Sequence, residues 1–563
     1  MRKLFLFITF MFAALMMMGQ TTDIVKLQEK AEQGEADAQN KLGIRFKNGE
    51  GVEKDWSKAA YWYTKAAEQG HAAAQINLGY CYIMGEGVEK DPAKGIYLYT
   101  KAAEQGHAMA QYNLGICFEN GIGVEKDLSE AVSWYQKAAE QGYANAQYNL
   151  GICFENGIGV EKDLSVAVSW YQKAAEQEYA DAQLNLGYCY NYGKGVETDL
   201  SKAVYWYTKA AEQGNAIAQN NLGNCFHNGE GVEKDLSEAA SWYQKAAEQG
   251  YANAQYNLGE CYFFNKGVLK SLKKAVYWYQ KAAEQGHAVA QYSLGLCYYK
   301  HGRGVKKDRT KSVYWYRKAA EQGYAEAQVS LGYCYDQGEG VEQDLSEAVY
   351  WYQKAADQGH ATGQFNLGVC YANGRGVNKD LDLAAYWYTQ SAEQGDEDAR
   401  RNLYILQNNG QAPASGANWG DVLVAIGNGI NQVAASISSS GTSGSYTNSY
   451  NNYAGGNNYN YSGSGNGGSD NSLKEKSKEV QRKTDYLNSG AYKTASKAFN
   501  KWEDTLRDMK INPEHYSHLS KEQFCREVKK AQNEMKKIRQ QMAQYGFNQR
   551  VSSFESWVPD ACR

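Results

Sequence analysis

GHAMAQYNLGICFENGIGVEKDLSEAVSWYQKAAEQ, residues 106–141, decides how this 563-residue chain folds. The next 36 residues, 142–177, repeat it with changes at only three positions: His107/Tyr143, Met109/Asn145 and Glu130/Val166. The same block recurs in register ten times between residues 34 and 394. A fixed period of this length marks stacked supersecondary units, because a single unit cannot bury its own apolar face. Neighbours then complete each core, and the array grows in one dimension. Such a body offers surface rather than a catalytic pocket, so the pattern predicts a binding protein.

Counting Gly106 as position 1, the first half of the block places Ala108, Ala110, Leu114, Cys117 and Phe118 on one helical face. Gly121 and Gly123 bracket a turn, the first as a left-handed helix cap. Asp127 caps a second helix, with Glu130 three residues on. That helix buries Ala131, Trp134, Tyr135, Ala138 and Ala139 and ends at Gly142. The capping aspartate recurs at Asp55, Asp91, Asp163, Asp199, Asp235, Asp308, Asp344 and Asp380. Departures fit the same plan. Pro92 follows Asp91 at a first helical position, where its missing N–H costs nothing. Asn265 replaces a turn glycine and Ser271 a capping aspartate, each the next-best residue for its place. The repeat starting at Gly286 carries one extra residue, placed in the turn around residues 301–304. Glu178 stands where the other boundaries have Gly, and a left-handed conformation there costs about 1 kcal/mol.

The pattern A-x-A-Q-x-x-L-G-x-x-(Y/F)-x-x-G-x-G-V-x-x-D-x-x-x-A-x-x-W-Y-x-K-A-A-E-Q-G resembles the Sel-one-like repeat (SLR) family, relatives of the tetratricopeptide repeats. It is met by Ala108, Gln111, Leu114, Gly115, Gly121, Gly123, Val124, Asp127, Trp134, Tyr135, Lys137, Ala138 and Ala139. The resemblance covers about two thirds of the chain. It implies an all-α fold, an α/α superhelical solenoid of ten 36-residue helix-turn-helix repeats. It also implies scaffolding, adaptor or receptor-regulating roles, many of them in secreted or periplasmic proteins. Fold alone does not name a ligand.

Arg2 and Lys3 precede an apolar run over residues 4–18, which reads as a secretory signal spanning 1–20. The chain is therefore expected to be exported: periplasmic, cell-surface or secreted. Eleven cysteines in an exported protein would suggest disulfides. Nine of them, however, share position 12: Cys81, Cys117, Cys153, Cys189, Cys225, Cys261, Cys297, Cys334 and Cys370. Equivalent helices of stacked repeats lie about 8–10 Å apart or more, beyond the ~7 Å that a disulfide allows between Cα atoms. The nine read as free, small, buried apolar residues. Cys525 and Cys562, outside the array, are a possible disulfide.

The solenoid with its terminal capping helices occupies 21–407: residues 21–33 supply a lone second helix, and 395–407 a charged final first helix. Residues 408–470 form a Gly/Ser/Asn/Tyr-rich low-complexity linker, with a short amphipathic segment at 419–437. Residues 471–563 are a basic helical domain. Ala495, Phe499, Trp502, Leu506 and Met509 form one apolar seam, and Phe524, Val528, Ala531, Met535, Ile538 and Met542 form a second. Two such seams separated by Pro513 predict a helical hairpin, its second helix capped by Ser520 with Gln523. This domain carries 19 basic against 12 acidic side chains, a net +7, so the −4 of the whole chain leaves −11 for residues 1–470. That asymmetry points to contact with the solenoid or with an anionic envelope polymer, or else only to a solvated face.

Catalytic signatures are fragmentary. Ser271–Lys274 fits S-x-x-K and Ser469-Asp470-Asn471 fits S-D-N, but Lys483-Thr484-Asp485 breaks the third element of a penicillin-recognising enzyme. His71, His107, His287 and His360 share position 2 with Tyr143, Asn215 and Glu35, a permissive site that reads as solvent-facing. No phosphate loop, metalloprotease motif or basic-aromatic stripe is present. The reading is no enzyme, no cofactor, no metal and no nucleic acid.

Differences between copies mark where a ligand would bind. On the first helix, positions 4, 7 and 11 vary along one face. They include Tyr112, Tyr148, Tyr256 and Tyr292 at position 7 and Tyr80, Tyr188 and Tyr333 at position 11. In tetratricopeptide relatives the first helices line the concave groove, so the resemblance implies that this stripe faces a protein or peptide ligand. The same tyrosines are also suited to packing between repeats. Position 8 holds Asn113, Asn149, Asn185, Asn221 and Asn257, either as inter-repeat hydrogen bonds or as a ladder gripping an extended peptide. The function expected is a non-enzymatic interaction scaffold of the cell envelope. The alternatives are a cell-wall or anionic polymer binder acting through the basic domain, and a β-lactam-binding or hydrolysing protein.

Overall fold

The computed structural model describes residues 23–408 except 302, together with 501, 509 and 519–543. The described residues are helical, with no strand among them. The chain divides into two compact units, Met1–Ser271 and Leu272–Arg563. In the first, a helix over 23–32 is followed by hairpins such as Ala108–Asn120 with Leu128–Glu140 and Ala144–Asn156 with Leu164–Glu176. In the second, Ala288–Tyr299 pairs with Arg309–Glu321, Ala325–Gln337 with Leu345–Asp357, and Ala361–Asn373 with Leu381–Glu393.

Each hairpin is punctuated by the residues that the sequence singles out. Gly121 ends the first helix in the left-handed region at φ 69°, its amide donating to the Cys117 carbonyl. Asp127 opens the second, its Oδ1 accepting from the Ser129 and Glu130 amides at 2.9 and 3.0 Å. Such a cap contributes about 1 kcal/mol. Asn265 takes the left-handed cap at φ 61°, and Glu178 is left-handed at φ 63°. In the repeat with the extra residue, the first helix stops at Tyr299 and Lys300 caps it in an extended conformation, which leaves the surplus to the turn.

The core confirms that neighbours complete one another. Ala131, Tyr135, Ala138 and Ala139 of one repeat bury against Ala146, Leu150 and Cys153 of the next. Two glycines set how closely the helices approach. A Cβ on Gly151 would lie 2.5 Å from the Tyr171 ring, which explains the Leu-Gly pair of the pattern. A Cβ on Gly159 would lie 2.1 Å from the Leu128 carbonyl oxygen of the preceding repeat, so the second turn glycine is a contact between repeats. The nine array cysteines are free and buried. Burial pushes the Cys117 thiol up to about 11 and that of Cys153 to about 12.

A helix closes each end of the array. Leu27 and Ala31 of the first helix cover Leu42, and Gln39 donates to the Ala31 carbonyl at 2.9 Å. At the other end, helix Glu397–Gln407 is capped by Asp396 and buries Ala399 and Leu403. The long helix Lys521–Ala543 begins with a reciprocal capping box. The Ser520 amide donates to Gln523 Oε1 at 2.8 Å and the Gln523 amide to Ser520 Oγ at 3.2 Å. Its Val528, Ala531 and Met535 bury together with Met509, with Phe524 and Ile538 alongside. Cys525 is disulfide-bonded. Cys562, the other seam residues Ala495 to Leu506, the signal at 1–20, the segment at 419–437 and the fragments at Ser469 and Lys483 lie outside the described residues.

Candidate ligand-binding face

The variable stripe of the first helices splits into two layers. Position 7 is the deeper. Tyr112 is half-buried, its ring centroid 5.8 Å from Tyr135 of its own repeat and 5.3 Å from Tyr143 of the next. Tyr148 repeats this against Tyr171 at 5.9 Å and Tyr179 at 5.1 Å. In the second unit Tyr292 sits between Tyr316 and Tyr324 at 5.7 and 5.3 Å. Burial raises the Tyr112 phenol, and that of Tyr148 to about 12. Tyr256 is half-buried at the same position.

Position 11 is the outer layer. Tyr80, Tyr188 and Tyr333 are 40%, 37% and 40% exposed, while the cysteines that follow them are buried. Tyr80 stacks on Trp56 at 6.2 Å, with Lys47 over both rings. Tyr188 packs on Tyr192 at 4.4 Å, with Lys194 4.6 Å from its ring.

The position 8 asparagines reach backward. Asn77 donates to Asn40 Oδ1 of the previous repeat at 2.9 Å, and Asn257 to Asn220 Oδ1 at 3.0 Å. Where position 7 is tyrosine, the amide meets a hydroxyl instead: Asn149 acts on Tyr112 and Asn185 on Tyr148. Asn113 and Asn221 are half-buried at this position. The structure therefore joins positions 7 and 8 of adjacent repeats into one seam. It exposes position 11 where it is Tyr80, Tyr188 or Tyr333, whereas Ile116, Ile152, Leu296 and Val369 at the same position pack against the core.

Sequence reasoning missed what sits beneath that face. Gln111, 6% exposed, donates to the Ala103 carbonyl of the preceding repeat at 3.3 Å and accepts from Gln141 at 2.7 Å. The same pair recurs from Gln39 and Gln69 to Gln364 and Gln394. In the closing helix Arg400 takes over, its Nε donating to the Ala392 carbonyl at 3.2 Å. Recurrence of Gln at positions 6 and 36 was the available signal. A second missed contact joins Tyr135 to Glu119 at 2.5 Å, and Tyr171 to Glu155 at 2.5 Å.

The position 2 histidines are not solvent-facing. They are half-buried N-caps, and His71, His287 and His360 accept through Nδ1 from the amides of Ala74, Ala290 and Gly363 at 3.2, 3.1 and 3.4 Å. At these three caps the ring nitrogen serves a backbone donor, whereas the buried His107 Nδ1 makes no such bond. Ser271 directly precedes the helix Leu272–Glu284, and its amide donates to the Tyr262 carbonyl at 3.0 Å, as the Asp127 amide does to Phe118. Among the described residues no cluster of His, Cys, Asp and Glu could hold a metal, and no helix is long and apolar enough to cross a membrane.

The Sel1 repeat family model matches ten consecutive blocks, from 36–71 to 361–396. The chain is a Sel1 repeat protein. Its repeats are similar to those of c5321, a protective antigen present in uropathogenic Escherichia coli strains and displaying an SLR fold. The two share 33% identity over 76% of this chain and 99% of that one, with a TM-score of 0.51. A Sel1 repeat protein from Oxalobacter formigenes is 35% identical over 55% of this chain and 90% of its own, with a TM-score of 0.46. No curated protein sequence matches the chain significantly. Sel1 repeat solenoids are typically non-catalytic scaffolds for protein–protein interaction.

Proposed function

We propose that this Sel1 repeat protein is an exported scaffold that binds a protein or peptide along the first-helix face of its repeats. The observation that carries the reading is the layering of that face. Tyr80 and Tyr188 in one unit and Tyr333 in the other stand exposed on a framework whose neighbouring positions are fixed by packing. Tyr supplies contact area with a polar tip at low entropic cost. Position 11 also varies freely, with Asn224 and Glu260 in other copies, so it is free to serve specificity. Export is supported by the signal-like residues 1–20 and by the antigenic character of c5321.

The test is affinity purification from the native envelope fraction, followed by titration of the recovered partner. Tyr80→Asn with Tyr188→Asn, which copies the residue at Asn224, should leave the melting temperature unchanged. It should weaken binding by ~2 kcal/mol or more, roughly 30-fold. Undiminished binding would move the site elsewhere.

A second reading rests on helix Lys521–Ala543, where Arg526, Lys529, Lys530 and Lys537 line one shallow depression. Such a stripe suits an anionic cell-wall polymer. Salt-sensitive sedimentation of the full chain with purified cell wall tests it, and charge reversal at Lys529 and Lys537 should abolish the sedimentation.

A further inference from the structure

Position 28 of each repeat, just before the Trp-Tyr pair of the second helix (Leu98-Tyr99 in one copy), reports what lies outside the array. Tyr61, Tyr97 and Tyr205 in the first unit are 54%, 61% and 53% exposed. In the second unit Tyr277 and Tyr314 are each 53% exposed. Tyr350 occupies the same position of helix Leu345–Asp357, yet it is 2% exposed, and its neighbour Trp351 is 4% exposed. One repeat further, Trp387 is 5% exposed and Tyr386 half-buried. Burial also raises the Tyr386 phenol and the Glu393 carboxyl. Stacking of repeats does not account for this, because Tyr314 stands between second helices in the same way and stays open to solvent. Something beyond the array covers the second-helix face at Tyr350 and Trp387.

We infer that the basic C-terminal domain, residues 471–563, docks on the second-helix face formed by Tyr350, Trp351 and Trp387. Two observations select this occupant. The last array helix, Glu397–Gln407, directly follows and packs on the helix that carries Trp387, so the chain that follows leaves the array one helix from the covered face. Charge then separates the domain from the linker. Positions 25, 28, 32 and 35 of helix Leu345–Asp357 put Glu347, Lys354 and Asp357 on the face of Tyr350, and Glu393 adds another carboxylate in the next repeat. Lys354 lies over the Tyr350 ring at 5.4 Å, and Asp357 accepts from Gln353 at 2.8 Å. A face with an excess of carboxylates matches a domain of net +7, whereas residues 409–470 contain no lysine or arginine at all.

The test uses the full chain with the photo-reactive p-benzoylphenylalanine in place of Tyr350, an aromatic for an aromatic, and with the same residue at Tyr205 as control. Irradiation of a mixture of isotopically light and heavy protein separates contacts within one chain from contacts between copies. The expected product is an intrachain link from position 350 to a peptide of 471–563, with none from position 205. A link to 409–470, a link between light and heavy chains, or no link at all overturns the proposal. Lysine–lysine cross-linking of the unmodified chain gives an independent reading that needs no substitution. Lys354 should link to lysines of 471–563 at least about five-fold more than Lys137 and Lys245, its equivalents in the first unit. Equal yields overturn the proposal as well.

Discussion

The side-chain amide of Gln141 donates to the Gln111 Oε1 at 2.7 Å, while Gln111 itself donates to the Ala103 carbonyl one repeat back. One buried amide thus ties three helices together, and it engages a carbonyl in the last turn of a helix, where carbonyls lack intrahelical partners.

Removing that amide should be costly. Gln111→Leu keeps the volume but removes both side-chain hydrogen bonds of the clamp. The Ala103 carbonyl keeps the Gly106 amide at 2.9 Å and Gln141 keeps the Lys137 carbonyl at 3.4 Å, so the cost is that of hydrogen bonds lost rather than of orphaned groups, about 1 kcal/mol. Urea denaturation should show that loss. A change below about 0.3 kcal/mol would mean that water replaces the clamp.

Glu178 should be improvable. It is left-handed at φ 63°, and the equivalent Gly142 and Gly214 have open space where a Cβ would point, so backbone conformation is the only strain. Glu178→Gly is expected to raise stability by about 1 kcal/mol, and Gly142→Ala to lower it by a similar amount. Thermal melts that move together in one direction would contradict this.

The array thiols should be silent until the chain unfolds. All nine are buried, and burial pushes the Cys117 thiol up to about 11 and that of Cys153 to about 12, which leaves almost no accessible thiolate at pH 8. A thiol-reactive dye should label none of the nine in native protein and all nine in guanidinium without reductant. Fewer than nine after denaturation would reveal cross-links between repeats.

The histidine caps predict an acid-sensitive array. Burial lowers the pKa of His287 and His360, so the unfolded chain binds more protons than the folded one below about pH 6.5. Their contribution is complete above that pH and is lost as the pH falls through the lowered folded values. His360→Asn copies Asn215, which accepts from the Ala218 amide at 3.0 Å. It should flatten the stability profile between about pH 7 and 5. An unchanged slope would place the acid sensitivity elsewhere.

Helices, caps and the two odd turns were legible because Asp127, Gly121, Asn265 and Glu178 act on backbone within a few residues of themselves. Position 11 was legible as a variable site, but not which of its copies are exposed: Tyr80, Tyr188 and Tyr333 stand out to solvent while Ile116 and Ile152 pack against the core. The glutamine clamp was visible only as recurrence, since the partners of Gln111 lie eight residues back and thirty ahead. The histidines misled because His71 and Asn215 differ in type while both present an acceptor to the third amide of a helix. The packing of Tyr112 between repeats was legible only as one of two alternatives, and the burial of Tyr350 was beyond sequence reading, because its equivalents Tyr277 and Tyr314 are exposed.

The close approach of Gly159 to the Leu128 carbonyl has a mechanical side. The distance from one repeat to the next is set by main chain against main chain, so it does not change when surface side chains do. Within each unit the exposed first-helix positions are teeth on a rack of constant pitch. New side chains can be exchanged at one tooth without moving the others. A methyl group at Gly159, by contrast, would pry two repeats apart, and binding would suffer at sites that still carry every original side chain.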